Sequence, residues 1–203
     1  MTYEEYYGDA YPAMLCAQQQ LQSLISQYPQ REPGDVKAII YCCSRIKHPG
    51  SMIRKLESKE LPSDGKTALT KVFDAIGLRI ICAFTEDVYG IVNWLKSRPE
   101  LEIVREKDYI AYPKPNGYRS YHLQLQLTEQ QFPAEIQVRT IATDFWATLE
   151  HQLKYKKDIP HEELIRCELK RCADEIASVD LSMQTIRDII RTSIEENKQE
   201  DLK

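Results

Sequence analysis

The sequence predicts an α+β protein in which a β-sheet of about five strands is flanked by helices and followed by a long C-terminal helix. Five short segments have strand composition or alternation: residues 36–47, 77–84, 101–109, 121–127 and 132–139. Apolar residues at helical spacing predict helices around and between them: residues 3–28, 52–60, 67–74, 89–97 and 140–155. From residue 161 onward, apolar residues recur at alternating steps of four and three: Ile165, Leu169, Cys172, Ile176, Val179, Met183, Ile186 and Ile190. Such a heptad seam predicts one long helix that packs on the N-terminal helix and also forms a subunit interface, with a frayed polar tail over residues 195–203.

Length and composition are those of one soluble globular domain. The chain has 203 residues, of which 42% are hydrophobic and 29% charged. It contains no apolar run of the ~20 residues that span a bilayer, and its acidic start is unlike a signal peptide, so we expect a cytoplasmic protein without a membrane partner. The net charge of −4 disfavours a general nucleic-acid coat protein. The six cysteines form no CxxC pair, and we expect them to be small core residues in a reducing compartment.

The last two predicted strands each place polar residues on one face. In residues 121–127 that polar face carries His122, Gln124 and Gln126, and in residues 132–139 it carries Glu135, Gln137 and Arg139. An acid, a histidine, amides and a guanidinium, preceded by a loop rich in Lys, Arg and Tyr, indicate a site for an anionic ligand with a metal. The alternative is an ordinary solvated sheet face.

A second group of charged residues lies where strand 36–47 meets the following helix. Alternation puts Arg45 and Lys47 on one side of the strand, residues 49–51 read as a turn, and Ser51 is predicted near the N-cap of helix 52–60. Two cations beside a helix N-terminus can bind an anion, and Lys55 lies one turn further on. Such junctions are common, so this evidence alone is weak.

Asp74 and Arg79 bracket the entry to the apolar strand 77–84. Charged residues at a buried strand are usually paired or functional. Asp74 could instead cap a turn.

Several motifs together resemble one known family. The segments DAIGLRI, KPNGYRSYH, EIQVRT and FWATLEHQLKYKK, with SRIKHPGSMIRKL upstream, resemble in order and spacing the synthetase domain of the RelA/SpoT homologues. The short length looks most like the stand-alone small alarmone synthetases of the RelQ type. The resemblance covers roughly residues 39–157. It implies a mixed sheet related to nucleotidyltransferases, in a single synthetase domain over residues 1–203. That domain would comprise an N-terminal helix (1–30), a catalytic core (36–157) and a C-terminal helical oligomerisation segment (160–199).

The activity that the resemblance implies is pyrophosphate transfer from ATP to the ribose 3′-hydroxyl of GDP or GTP, which yields guanosine tetra- or pentaphosphate (ppGpp or pppGpp). Asp74 and Glu135 are then expected to bind Mg²⁺, since this ion prefers hard oxygen ligands. Glu135 is also the candidate that accepts the proton of the attacking hydroxyl, and Gln137 would orient that carboxylate or its metal.

The resemblance also implies where the two nucleotides bind. For ATP, Arg45 and Arg79 would flank the adenine ring, while Lys47, Ser51 and Lys55 would contact the phosphates. For GDP or GTP, Tyr118 would stack on the guanine, with the same motif supplying Asn116 and His122, and Lys107 and Lys114 contacting phosphates. The motifs also contain three residues that are expected to hold the ligand-binding side chains in place without contacting the ligands themselves: Arg139, Glu150 and His151. Tyr118 could instead be a core aromatic residue, and His151 beside Trp146 could be a packing residue; Phe145 and Trp146 are expected in the core.

Two departures from the family pattern are visible. The family usually has Leu where Tyr121 lies, which bears on the packing of the preceding loop that is expected to bind GDP or GTP. The connection over residues 128–131 is also short compared with many relatives. None of the four histidines is followed by Asp, as in the hydrolase motif of bifunctional relatives, so no hydrolase activity is expected.

Two other functions remain open from sequence: a catalytically inactive nucleotide- or RNA-binding sensor of the same fold, and another nucleotidyltransferase-like enzyme. A sensor would be expected to lack at least one of the acids, Tyr118 or the ATP-side cations, and all of these are present. The resemblance further implies a homo-oligomer, up to a tetramer, formed through helical segments. It leaves open regulation by ppGpp, pppGpp or single-stranded RNA.

Overall fold

A five-stranded mixed sheet forms the centre of the computed structural model, which describes residues 1–32, 35–129, 131–154 and 161–200. The strands are β1 (Ile39–Ile46), β2 (Ile76–Cys82), β3 (Leu101–Asp108), β4 (Tyr121–Leu127) and β5 (Pro133–Thr140), in the order β1-β2-β5-β4-β3. β2 and β5 are parallel, and the other neighbours are antiparallel. The predicted fold class, with about five strands, is confirmed.

The strand register collects polar side chains on one face of the sheet. One cross-strand row contains Arg45, Gly77, Glu135, Gln124 and Arg105, and the next contains Cys43, Arg79, Gln137, His122 and Lys107. Directly opposed residues share a face of a sheet, so these rows bring together segments far apart in the chain. The faces predicted for β4 and β5 are those observed.

Helices pack on the apolar face of the sheet and at the end of β5. They are α1 (Tyr3–Tyr7), α2 (Ala10–Ser26), α3 (Pro49–Glu57), α4 (Gly65–Lys71), α5 (Thr85–Lys96), α6 (Ile141–Lys154) and α7 (Glu162–Glu200). α2 and α5 pack on the apolar face, where Met14, Leu21, Ile91 and Leu95 join the strand residues in the main core. α6 and α7 pack together at the end of β5 and leave the polar face accessible.

Several helix boundaries differ from the sequence prediction, and two of these differences have a clear local cause. The single helix expected over residues 3–28 is divided at Gly8, which ends α1 with a φ of +57° that glycine tolerates best. α3 begins at Pro49, and the Nδ1 atom of His48 accepts its N-capping hydrogen bond from the Gly50 amide at 3.2 Å. The turn expected at residues 49–51 and the cap expected at Ser51 are therefore wrong, because proline suits the first helical position.

The long helix α7 is confirmed, but its partners differ from those expected. Near its start, apolar seam residues pack around Trp146 and Ala173 in a small second core: Leu169, Cys172 and Ile176. Its principal contacts are with α6 and α5, whereas the N-terminal helix α2 packs on the sheet. The second half of the seam is exposed: Val179 60%, Met183 49%, Ile186 49% and Ile190 53%. The polar tail remains helical to Glu200, so the expected fraying is not observed in the described residues.

Other side chains also depart from the predicted core. Phe145 is exposed although its neighbour Trp146 is buried. Of the cysteines, Cys82 is buried, whereas Cys16 and Cys167 are exposed, so the prediction of uniformly buried cysteines is wrong. The last three residues of the motif FWATLEHQLKYKK, 155–157, lie outside the described residues. Among the described helices, none combines the length and apolar character needed to cross a membrane.

Candidate active site

A cleft of about 180 Å³ opens on the polar face of the sheet, over β1, β2 and β5. Its lining consists of Cys43, Ser44, Arg45, Asp74, Gly77, Leu78, Arg79, Glu135 and Gln137. The cleft therefore unites both predicted acids, the predicted orienting amide and both predicted adenine-flanking arginines. These residues come from three separate segments of the chain and meet because of the strand order.

Glu135 is held by side chains from its own strand and from β4. Gln137 Nε2 donates to Oε1 at 3.0 Å, Gln124 Nε2 donates to Oε2 at 3.1 Å, and His122 Nδ1 lies 3.6 Å from Oε1. Burial alone would raise the pKa of Glu135, but the hydrogen bonds from His122, Gln137 and Gln124 outweigh it and hold the pKa well below its usual range. The carboxylate is therefore ionised at neutral pH.

Asp74 lies in the turn before β2 and binds two lysines through a single oxygen. Lys47 Nζ lies 2.9 Å and Lys55 Nζ 2.6 Å from Oδ2. Burial would raise the pKa of Asp74, but hydrogen bonds and charges from Lys55 and Lys47 outweigh it and lower the pKa. Tyr7 Oη donates to the Lys47 carbonyl at 2.7 Å, so α1 supports this cluster. The two lysines predicted to bind one anion do converge on one group.

The acids fit a magnesium site. Oδ1 of Asp74, a residue that lines the cleft, is buried and finds no hydrogen-bond partner among the residues that the structure describes, which leaves one unsatisfied acceptor there. Over the same described residues there is no group of three or more Asp, Glu, His or Cys able to hold a metal. A cation held by Asp74 and Glu135 would therefore need further oxygen ligands. This suits Mg²⁺, which usually keeps water and substrate phosphates as ligands.

An aromatic group adjoins the cleft at β4. Tyr118 packs edge-to-face on His122 and Tyr109, and Lys114 Nζ lies 4.7 Å from the centres of both tyrosine rings. Arg139 Nη2 donates to Tyr118 Oη at 2.5 Å, and that oxygen lies 2.8 Å from His122 Nε2. Tyr118 is half-buried at the edge of the second core, which agrees with its core alternative, and its stacking on guanine stays a prediction.

The loop that carries Tyr118 is fixed against the two C-terminal helices. Asn116 Nδ2 donates to Glu150 Oε1 on α6 at 3.1 Å, and Arg119 contacts Asp174 on α7 at 3.4 Å. Gly117 has a φ of +89° and packs so closely on α7 that a Cβ atom would lie 2.5 Å from that of Ala173. The long helix thus packs directly against the loop that carries Tyr118.

Other predicted residues lie around the cleft. Ser51 is inside α3 and accepts from Arg54, Lys107 lies opposite His122 on β3, and His151 is exposed on α6. Tyr121, the departure from the family pattern, lies on the opposite sheet face, where its Oη donates to Glu106 at 2.8 Å. The substitution therefore stays outside the polar face.

The sequence reading missed Asp144 on α6. Its Oδ1 atom lies 3.1 Å from Nη1 of Arg139 and 3.4 Å from Nη1 of Arg79. A signal was present, since an acid in the first turn of a helix that follows Arg139 can reach back to that strand. Arg79, however, is far away in sequence, and only the sheet order brings it near.

The fold and the site are those of a nucleotide-binding transferase. Acids and converging cations lie on a mixed sheet, next to an aromatic group that suits a nucleobase. Residues 44–160 match the model of the region found in RelA/SpoT proteins, and the chain belongs to this family. It is 42% identical over 152 residues to the GTP pyrophosphokinase YwaC of Bacillus subtilis, covering 71% of each chain. It is 35% identical to the GTP pyrophosphokinase YjbM of the same organism, covering 75% of this chain and 74% of that one.

Its structure is similar to that of small alarmone synthetase 1 from Bacillus subtilis bound to its product pppGpp. The TM-score is 0.75 at 31% identity, and the superposition covers 93% of this chain and 98% of the other. The similarity spans the sheet and the flanking helices, which agrees with the predicted family fold.

Proposed function

We propose that this protein synthesises pppGpp and ppGpp by transferring pyrophosphate from ATP to the 3′-hydroxyl of GTP or GDP. The observation that carries this function is that Asp74 and Glu135 line one cleft together with Arg45 and Arg79. His122 connects Glu135 to Tyr118 on the β4 side. Membership of the RelA/SpoT family and similarity to two GTP pyrophosphokinases support the same reaction. The presence of both acids and the cations disfavours an inactive sensor.

On the donor side, the chain provides planar cations for a base and point charges for phosphates. Arg45 and Arg79 enter the cleft from adjacent strands, and guanidinium groups stack well on purine rings. Lys47 and Lys55 lie side by side at Asp74, where together they can neutralise a polyphosphate. Asp74 holds the two ammonium groups side by side and offsets one of their two positive charges, so a net positive charge is left for phosphate.

Mg²⁺ is proposed as the cofactor, with Asp74 and Glu135 as its protein ligands. When bound, it would neutralise charge on the phosphate oxygens and favour attack on phosphorus. The buried Oδ1 of Asp74 supports this assignment.

On the acceptor side, Tyr118 offers a ring face to guanine once Lys114 moves from it toward the phosphates. The 3′-oxygen of the acceptor then attacks the β-phosphorus of ATP, the bond from that phosphorus to the α-phosphate oxygen breaks, and AMP leaves. Glu135 accepts the hydroxyl proton. Its low pKa makes it a weak base in the free enzyme, so Gln137 and His122 act by orienting an ionised carboxylate toward the hydroxyl.

A labelling experiment tests this function. The purified protein is incubated with Mg²⁺, GTP or GDP, and ATP labelled at either the α- or the γ-phosphate. We expect γ-label in a guanosine product and α-label in AMP. Transfer of α-label to the guanosine nucleotide would indicate a nucleotidyltransferase, and no transfer would indicate a sensor. Isolated pppGpp incubated with the enzyme alone is expected to be recovered intact.

We also propose a homo-oligomer, up to a tetramer, formed through α7. The exposed second half of its apolar seam supports this, since a stripe of that length is usually covered. The substitution Ile190→Glu is expected to lower the oligomer mass measured by light scattering, whereas Thr192→Glu, an exposed position outside the seam that gains the same charge, serves as the control. We place the protein in the cytoplasm, where ATP, GTP and Mg²⁺ are abundant.

A further inference from the structure

Asp144 lies between a residue of the ATP side and a residue of the guanosine side. Its Oδ1 atom is 3.4 Å from Nη1 of Arg79 and 3.1 Å from Nη1 of Arg139. Arg79 lines the cleft, while Arg139 donates to Tyr118 Oη and, at 2.9 Å, to Gln137 Oε1. One carboxylate oxygen therefore contacts two guanidinium groups that serve different nucleotides.

The backbone that carries Asp144 is rigidly held. Thr140 and Thr143 exchange hydrogen bonds at the start of α6, with the Thr140 amide donating to Thr143 Oγ1 at 3.0 Å and the Thr143 amide donating to Thr140 Oγ1 at 3.1 Å. Thr140 Oγ1 also donates to Asp180 Oδ2 on α7 at 2.7 Å. All three residues are buried. These buried hydrogen bonds anchor the first turn of α6 to α7 and so restrain the backbone at Asp144.

The charge of Asp144 matters differently for its two partners. The Arg139 side chain is only 5% exposed, so its guanidinium needs a counter-ion as well as hydrogen-bond acceptors. The Arg79 side chain is 36% exposed and would explore several rotamers without an anchor. Asp144 thus neutralises a buried cation on one side and restricts a mobile cation on the other.

We propose that Asp144 is a positioning residue that presents the Arg79 guanidinium to the adenine ring and, through Arg139, fixes the Tyr118 ring for the guanine. This assignment rests on the proposed function, since the roles of Arg79 and Tyr118 belong to it. Asp144 itself contacts neither substrate.

Nucleotide binding measured separately from turnover tests the proposal. The probes are the non-hydrolysable ATP analogue AMPCPP and GTP, titrated calorimetrically into the full chain. For Asp144→Asn, which keeps the shape but loses the charge, we expect the Kd of AMPCPP and the Kd of GTP each to rise roughly two- to tenfold. Asp144→Glu, which restores the carboxylate, should recover most of both affinities. Asp35→Asn, an exposed acid before β1, is the matched control and should leave both unchanged.

A double-mutant cycle separates positioning from general packing. In an Arg79→Ala background, Asp144→Asn should no longer change the Kd of AMPCPP, although it should still raise the Kd of GTP through Arg139. An equal rise in the AMPCPP Kd in both backgrounds would overturn the proposal. So would unchanged Kd values combined with a lowered Tm, which would indicate a structural role alone.

A charge-balanced variant covers the case in which Asp144→Asn does not fold. Asp144→Asn/Arg139→Gln removes the buried cation together with its counter-ion, and it should bind AMPCPP more weakly than Arg139→Gln alone; equal affinities would contradict the proposal. Failure of the proposed function is distinguishable, because wild-type protein would then bind both nucleotides without forming a guanosine product.

Discussion

The phenol oxygen of Tyr118 lies 2.8 Å from Nε2 of His122, and the other ring nitrogen of that histidine faces Glu135. Arg139 donates to the same phenol oxygen, which leaves the Tyr118 hydroxyl able to donate to Nε2. With that donation, a neutral imidazole carries its hydrogen on Nδ1, where it points to the carboxylate. The group proposed to bind guanine is thereby linked by hydrogen bonds to the acid proposed to take the proton.

Substitutions of Tyr118 should separate its ring from its hydroxyl. Tyr118→Ala removes the stacking surface, and base–aromatic stacking contributes about 1–3 kcal/mol. We therefore expect the acceptor KM in steady-state assays to rise roughly 5- to 150-fold, with little change in the ATP KM. Tyr118→Phe keeps the ring and serves as the matched comparison. It should raise the acceptor KM by no more than the roughly two- to tenfold expected when Arg139 no longer fixes the ring, far less than Tyr118→Ala, and it should lower kcat because the hydroxyl no longer orients His122. Equal acceptor KM values for wild type and Tyr118→Ala would move the stacking role elsewhere.

Replacement of Glu135 should remove activity at a modest cost in stability. In Glu135→Gln the chain loses its proton acceptor and a metal ligand, so kcat is expected to fall about 100- to 10,000-fold. The new amide also turns an NH₂ group toward donors on Gln124 or Gln137, and such a mismatch costs about 1–3 kcal/mol of unfolding free energy. The measurements are product formation and urea unfolding. Glu129→Gln, in the exposed β4–β5 connection, is the control and should match wild type in both. Near wild-type turnover of Glu135→Gln would exclude Glu135 from its proposed role.

Wild type and Glu135→Gln should differ in the pH dependence of their unfolding free energy. The folded-state pKa of Glu135 lies below its unfolded value, so its ionised form stabilises the fold fully above the unfolded pKa of about 4.3. That contribution is lost as pH falls toward the folded pKa. We therefore expect the difference in unfolding free energy between wild type and Glu135→Gln to be constant from neutral pH down to about pH 5 and to shrink below about pH 4. A difference that grows on acidification would contradict the assigned direction of the pKa shift.

The strand faces could be predicted from the sequence, because alternation along a strand follows from backbone geometry. His122 and Glu135 were placed on polar faces in this way, and the register confirms that placement. That Glu135 lies directly opposite Gly77 could not be predicted from alternation, since it depends on the parallel pairing of β2 and β5. Asp144 was missed for the same reason, because one of its partners lies in β2. The roles of these residues in binding and catalysis stay predictions.

The heptad pattern of α7 illustrates a second limit. It predicts an apolar stripe but does not say which element covers each part of it. Leu169 and Ile176 are covered within the chain by α6, whereas Ile186 and Ile190 are exposed. For α3, in contrast, the start at Pro49 was available from sequence through the preference of proline for the first helical turn.

Gly117 should be required for acceptor binding because of its contact with α7. An alanine Cβ there would lie 2.5 Å from that of Ala173, and its φ of +89° is unfavourable for alanine. We expect Gly117→Ala to displace the loop that carries Asn116 and Tyr118, so that the acceptor KM rises while the ATP KM is retained. Gly8→Ala is the matched control, since its φ is also positive, at +57°, but no described heavy atom lies within 4 Å of the added Cβ.

Both glycine variants should lose about 1–2 kcal/mol of unfolding free energy from the backbone conformation alone. Only Gly117→Ala should also raise the acceptor KM in steady-state assays. Adding Ala173→Gly removes the methyl group that collides with the new side chain, and the double variant should recover the acceptor KM although glycine within α7 costs about 1 kcal/mol. If Gly8→Ala raises the acceptor KM as much as Gly117→Ala does, or if Ala173→Gly restores nothing, the close approach of the loop to α7 does not position the acceptor.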